Sequence, residues 1–102
     1  MADLVVIYKT PTDAAAFDKY YTATHIPLAK KLPGLRKYQV SHGEVVGPGG
    51  PSGVHLVATL TFDSVAAIQD AFASPEGQAA AGDLPNFASG GAEIVFFDTK
   101  EV

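Results

Sequence analysis

The chain has 102 residues, 47% of them hydrophobic, with 11 acidic side chains against 7 basic ones and a formal net charge of -4. That length suits one domain, residues 1–102, with a single modest core, and the charge balance excludes a general nucleic-acid binder. No cysteine is present, which removes disulfides, thiolate catalysis and cysteine zinc sites.

Met1-Ala2-Asp3 carries an acid and leads straight into an apolar run, unlike a secretory leader. No run approaches the ~18 apolar residues that span a bilayer, so a cytoplasmic protein is expected. Leu4 to Tyr8 is apolar throughout and reads as a strand buried on both faces. Thr10-Pro11-Thr12-Asp13 predicts a helix start, with Thr10 as N-cap, Pro11 in the first turn and Asp13 closing a capping box. Phe17, Tyr21, Thr24 and Leu28 share one helical face. Pro27 cannot donate to a preceding carbonyl and crowds the turn before it, so the helix should bend or stop near His25. Lys30, Lys31, Arg36 and Lys37 form a local basic cluster that reads as a solvated face.

Arg36 to Gly43 alternates as a second strand. Glu44 to Gly53 contains Gly47-Pro48-Gly49-Gly50-Pro51, which predicts a loop, plain or lid-like, without the Lys or spacing of a phosphate loop. Val54 to Phe62 is the clearest strand, with Val54, Leu56, Ala58, Leu60 and Phe62 on one face and His55, Val57, Thr59 and Thr61 on the other. Asp63-Ser64 caps a helix whose inner side carries Val65, Ile68 and Phe72. Ser74-Pro75-Glu76 restarts a short helix to about Gly82, Leu84 to Phe87 is a loop, and Ala92 to Asp98 is the last strand.

This βαββαβ order predicts an α+β, ferredoxin-like protomer: a four-stranded antiparallel sheet, first and third of these strands central, helices on one face. The other face then leaves Val5, Ile7, Val57 and part of Ile94 to Phe97 uncovered. A second copy packed sheet to sheet would cover them. The expected result is a homodimeric α+β barrel with a lumen and an interface well over ~1,200 Å².

The order of several short motifs resembles the EthD family, named for ethyl tert-butyl ether degradation, within the dimeric α+β barrel superfamily. The motifs are Phe17-Asp18-x-Tyr20-Tyr21, His25-Ile26-Pro27-Leu28, Leu32-Pro33-Gly34-Leu35-Arg36-x-Tyr38, Ala73-Ser74-Pro75-Glu76-Gly77 and Asp83-Leu84-Pro85-Asn86-Phe87. The resemblance implies a sheet-to-sheet dimer and a small-molecule role, often beside oxygenases or in polyketide pathways. It implies no single reaction, because lactone isomerases, polyketide cyclases and cofactor-free monooxygenases share the superfamily.

His25 is the leading candidate catalyst, since an imidazole can give and take a proton near neutral pH. Alternatively it caps the carbonyls freed by Pro27. His55 is the second candidate, expected to face the lumen beside Thr59 and Thr61, or else to sit in a hydrogen-bond network. His42 is expected to be exposed. Tyr8 and Tyr38 are candidate lumen residues whose hydroxyls orient a ligand oxygen, with Thr59 and Phe87 as further binding candidates; Phe96 and Phe97 suit a pocket or a plain core. The three histidines lack metal-ligand spacing, so no metal is expected, and haem would need a larger pocket than this short chain suggests. The leading expectation is acid–base chemistry without metal or flavin on a small aromatic or cyclic carbonyl or phenolic metabolite, by isomerisation, cyclisation or oxidation. The alternative is a non-catalytic accessory that holds a ligand for a partner oxygenase.

Overall fold

The computed structural model describes residues 1–102. Its strands are β1 (Ala2–Lys9), β2 (Lys37–Val40), β3 (Val46–Gly47), β4 (Gly50–Pro51), β5 (Val54–Phe62) and β6 (Ala92–Asp98). Four of them make one antiparallel sheet in the order β2-β5-β1-β6, the ferredoxin-like arrangement with β1 and β5 central. β3 and β4 pair only with each other. The Gly/Pro-rich stretch is therefore a small hairpin rather than an irregular loop: Pro48-Gly49 makes a two-residue connection that lets the flanking residues pair.

Alternation along β1 sends Ala2, Leu4, Val6 and Tyr8 to the helical side, where all four are buried. Ala58, Leu60 and Phe62 of β5 join them. Asp3, Val5 and Ile7 point the other way, opposite Thr61, Thr59 and Val57 of β5 and Phe97, Val95 and Glu93 of β6. No helix covers that face, and Val95 and Phe97 are 49% and 44% exposed. It is apolar at the centre and polar at both ends, with Glu93 at one and, at the other, the Thr61 hydroxyl donating to Asp3.

The first helical unit departs from its sequence reading at its start, and near His25 it shows the expected irregularity in the form of a wider turn rather than a stop. Asp13, not Thr10, is the N-cap of α1 (Ala14–Tyr20), accepting from the Ala16 N–H. The helix does not stop at His25. It widens into a π turn over Tyr21–His25, closed by the Ile26 N–H on the Tyr21 carbonyl, and continues as α2 (Ile26–Ala29). The wide turn sits just before the proline, where a regular ladder would have needed the missing N–H.

The inward face is consequently Phe17, Tyr21, His25 and Ala29, all buried, whereas Thr24 is exposed and Leu28 only half-buried. In a regular α-helix, residues spaced by four drift about 40° per step, or about 120° from Phe17 to Ala29. One wider turn removes most of that drift, so the proline-linked π turn keeps His25 facing the sheet.

Ser64 caps α3 (Val65–Ala73), and Ser74 caps α4 (Pro75–Gly82) by accepting from the Gly77 N–H. Gly77 is required there: a side chain would collide with the Ala71 carbonyl oxygen at the end of α3. α4 leads through Asp83 into a 3₁₀ turn, Leu84–Asn86, that closes over the first helical unit. No helix is long and apolar enough to cross a membrane.

Candidate functional site

The core around the first helical unit is aromatic. Tyr8 meets Phe17 and Tyr21 edge to face, with ring centroids 5.3 and 5.6 Å apart. Phe87 packs against Phe17, Tyr20, Tyr21 and His25, the last at 4.7 Å. The imidazole packs against both Phe87 and Tyr21, which also touch each other, so the three rings form one cluster. Phe87 supports the histidine from behind rather than lining the cavity described below.

His25 is 6% exposed. Its Nδ1 lies 3.0 Å from Asp83 Oδ2. The other carboxylate oxygen accepts from the Tyr20 hydroxyl at 2.6 Å and from Asn86 Nδ2 at 3.0 Å. Burial alone would push the Asp83 carboxyl up, but the three hydrogen bonds from Tyr20, Asn86 and His25 outweigh it and hold the group below its usual value. An ionised carboxylate only accepts, so the proton on this contact belongs to His25 Nδ1. In the neutral ring Nε2 is then the basic nitrogen, and no protein group bonds it.

A cavity of about 40 Å³ lies beside this ring, between the sheet and the helices. Tyr8, Tyr21, His25 and Tyr38 supply its polar atoms, and the rest of the wall is apolar, including Leu60, Leu84 and Ile94. The Tyr21 and Tyr38 hydroxyls are 2.5 Å apart. Burial first, then the neighbouring phenols, pushes the Tyr21 and Tyr8 hydroxyls well above the ordinary phenol value, and burial does the same to Tyr38. All three stay neutral, and of the Tyr21–Tyr38 pair one hydroxyl donates to the other while the second keeps its proton for another acceptor. The arrangement pairs one oriented base with neutral phenols in a mostly apolar space, a geometry suited to moving a proton on a ligand whose oxygen is held.

The structure thus brings together His25, Tyr8 and Tyr38, but between sheet and helices rather than at the uncovered sheet face. Thr59 lies on that uncovered face, opposite Val5, and does not join them. His55 corrects its sequence reading. The β1–β5 register slips between Tyr8, opposite Leu56, and Lys9, opposite Val54, leaving His55 as the extra residue of a bulge. The bulge turns its ring away from Thr59 to the helical side. There it meets Phe17 edge to face at 4.8 Å and its Nε2 lies 2.7 Å from Asp18. His42 is exposed. Phe96 faces α3 through Phe72, while Phe97 lies on the uncovered face. No three His, Asp or Glu side chains converge as a metal-ligand set.

Asp83, Tyr20, Tyr21 and Asn86 were not singled out as site residues from the sequence. Their only signal is membership of the quoted motifs: Tyr21 precedes His25 by one helical turn, and Asp83, Asn86 and Phe87 of one motif all gather at the His25–Asp83 contact.

Comparison with known proteins matches the EthD domain over residues 9–91. An uncharacterised 11.0 kDa protein from the thcB-thcC intergenic region of Rhodococcus erythropolis is 39% identical over 102 residues, covering 100% of this chain and 98% of that one. The crystal structure of an EthD family protein from Bacillus halodurans superimposes with a TM-score of 0.88 at 34% identity, over 98% of this chain and 99% of that one. SnoaB, a cofactor-independent oxygenase from Streptomyces nogalater, shares the fold at a TM-score of 0.70 and 15% identity, over 99% and 94% of the two chains. The chain belongs to the EthD family.

Proposed function

We propose that this EthD-family chain binds a small, largely apolar metabolite bearing a carbonyl or phenolic oxygen and acts on it by acid–base chemistry that calls for no metal or flavin. One observation carries the reading: Asp83 fixes His25 through Nδ1, leaving Nε2 free beside a cavity where the Tyr8, Tyr21 and Tyr38 hydroxyls gather. A tyrosine hydroxyl would hold the ligand oxygen. Nε2 would take a proton from the carbon next to a carbonyl and return it elsewhere, giving an isomerisation or a ring closure with no net redox change. From a phenol the same step would leave a phenolate, the electron-rich form that dioxygen can attack; SnoaB, with the same fold, is a cofactor-independent oxygenase.

The working unit would be a homodimer formed through the sheet face. Val5, Ile7, Val57, Val95 and Phe97 leave there an apolar surface that this chain cannot cover. Sedimentation equilibrium at micromolar concentration should show twice the 10.6 kDa chain mass; a stable monomer would remove the barrel.

The catalytic reading is tested with His25→Ala on a panel of small cyclic and aromatic ketones and phenols. Turnover should fall by roughly 10² to 10⁴, the usual worth of a general acid or base, with affinity changed less than about threefold, which is ~0.7 kcal/mol. Ligand binding without turnover by the unaltered protein would leave the other role, a non-catalytic carrier for a partner oxygenase.

A further inference from the structure

The inner cavity is too small for the ligand class just proposed. About 40 Å³ holds a few waters, whereas an organic ligand site commonly encloses roughly 300 Å³ or more. A second space adjoins it. A cleft of about 720 Å³ opens between the first helical unit and the segment from Val40 to Leu56. Tyr21 lines both spaces, and its hydroxyl contacts that of Tyr38, which lines the inner one. Tyr38 is half-buried and belongs to β2, a four-residue strand at the sheet edge. It is the member of the pair with most freedom to move.

The cleft has its own polar group. His55 and Asp18 line it as a pair, with Asp18 more than half exposed. His55 reaches it only because the β5 bulge re-aims its ring, a device that recurs beside functional sites. Glu44 adds a second carboxylate, His42 adds a second imidazole beside His55, and no Lys or Arg lines the cleft, so the permanent charges on its wall are the two carboxylates. Such a wall disfavours carboxylate or phosphate and favours a donor-bearing group, above all a protonated amine.

We propose that the ligand spans both spaces: separation of Tyr21 and Tyr38 joins them, the reacting ring lies beside His25, and an amine-bearing tail lies in the outer cleft against Asp18. This inference builds on the acid–base reading of His25. It makes Asp18 and His55 specificity residues rather than catalysts, and Tyr38 the gate.

Two probes with one phenol head and opposite tails test it: tyramine and 3-(4-hydroxyphenyl)propionate, with 4-ethylphenol as the tail-free control. Affinities come from calorimetry, and contact with His25 from its side-chain nitrogen resonances. Tyramine should bind at least about tenfold more tightly than the propionate. Asp18→Asn, at an exposed position that folding tolerates, should shrink that ratio to within about threefold. If 4-ethylphenol moves the His25 resonances but the two tails bind equally, or the preference survives in Asp18→Asn, the outer compartment is overturned and the His25 reading stands. If none of the three moves His25, both fail.

Discussion

The molecule holds two histidine–aspartate pairs on the helical side of one sheet, and they differ in almost everything but composition. His25 and Asp83 are each 7% exposed at the side chain, and their contact is ringed by Tyr20, Asn86, Tyr21 and Phe87. His55 and Asp18 are closer, at 2.7 Å, but 21% and 60% exposed. Separation alone would rank the second pair higher. Environment reverses the order. Water screens the outer contact, whereas the inner carboxylate has lost its water and depends on three protein donors. A buried pair whose carboxylate is fully bonded can fix one tautomer of a ring; an exposed one offers a charge to whatever enters the cleft.

Stability should separate the pairs most strongly. Asp83→Ala strips the acceptor from Tyr20, His25 and Asn86 and should cost about 3 kcal/mol. Asp18→Ala removes one screened contact and should cost under about 1 kcal/mol. Urea unfolding of the two variants at neutral pH measures the difference. Its pH dependence follows from the depressed carboxyl of Asp83. A group whose value is lowered by folding contributes in full above its unfolded value, and the contribution disappears as pH falls through the folded value. The deficit of Asp83→Ala relative to the unaltered protein should therefore narrow in acid. A deficit that is equal for the two variants, or that grows in acid, would mean that burial does not distinguish them.

The same contrast explains what could be read in the sequence. Alternation of apolar and polar residues separates the faces of β5 from Leu56 to Phe62, because a strand's side-chain period is fixed at two, and so points to the uncovered sheet face; the uniformly apolar run Leu4 to Tyr8 of β1 does not by itself say which side Tyr8 takes. His25 was legible because Pro27 announces an irregular turn two residues later. The form of that turn was not, since a proline can be answered by a kink, a stop or a π turn, and only the need to keep Phe17, Tyr21, His25 and Ala29 on the sheet selects the last. Asp83 lies 58 residues from His25, and no local periodicity couples them. His55 was assigned to the wrong face because a bulge adds a residue without altering the apolar pattern around it, and one residue of slip reverses a side chain. Tyr8 and Tyr38, expected at the sheet-side lumen, share a cavity with His25 on the opposite side.

The central claim is that Asp83 holds His25 with Nε2 as the free basic nitrogen. Nitrogen–proton correlation spectra of the histidine side chains, recorded where the ring is neutral, test it most directly. His25 should show its proton on Nδ1 and an unprotonated Nε2 whose resonance moves when 4-ethylphenol is added, and Asp83→Asn should abolish that single-tautomer pattern. A proton found on Nε2, or an Nε2 signal indifferent to the phenol, would contradict it.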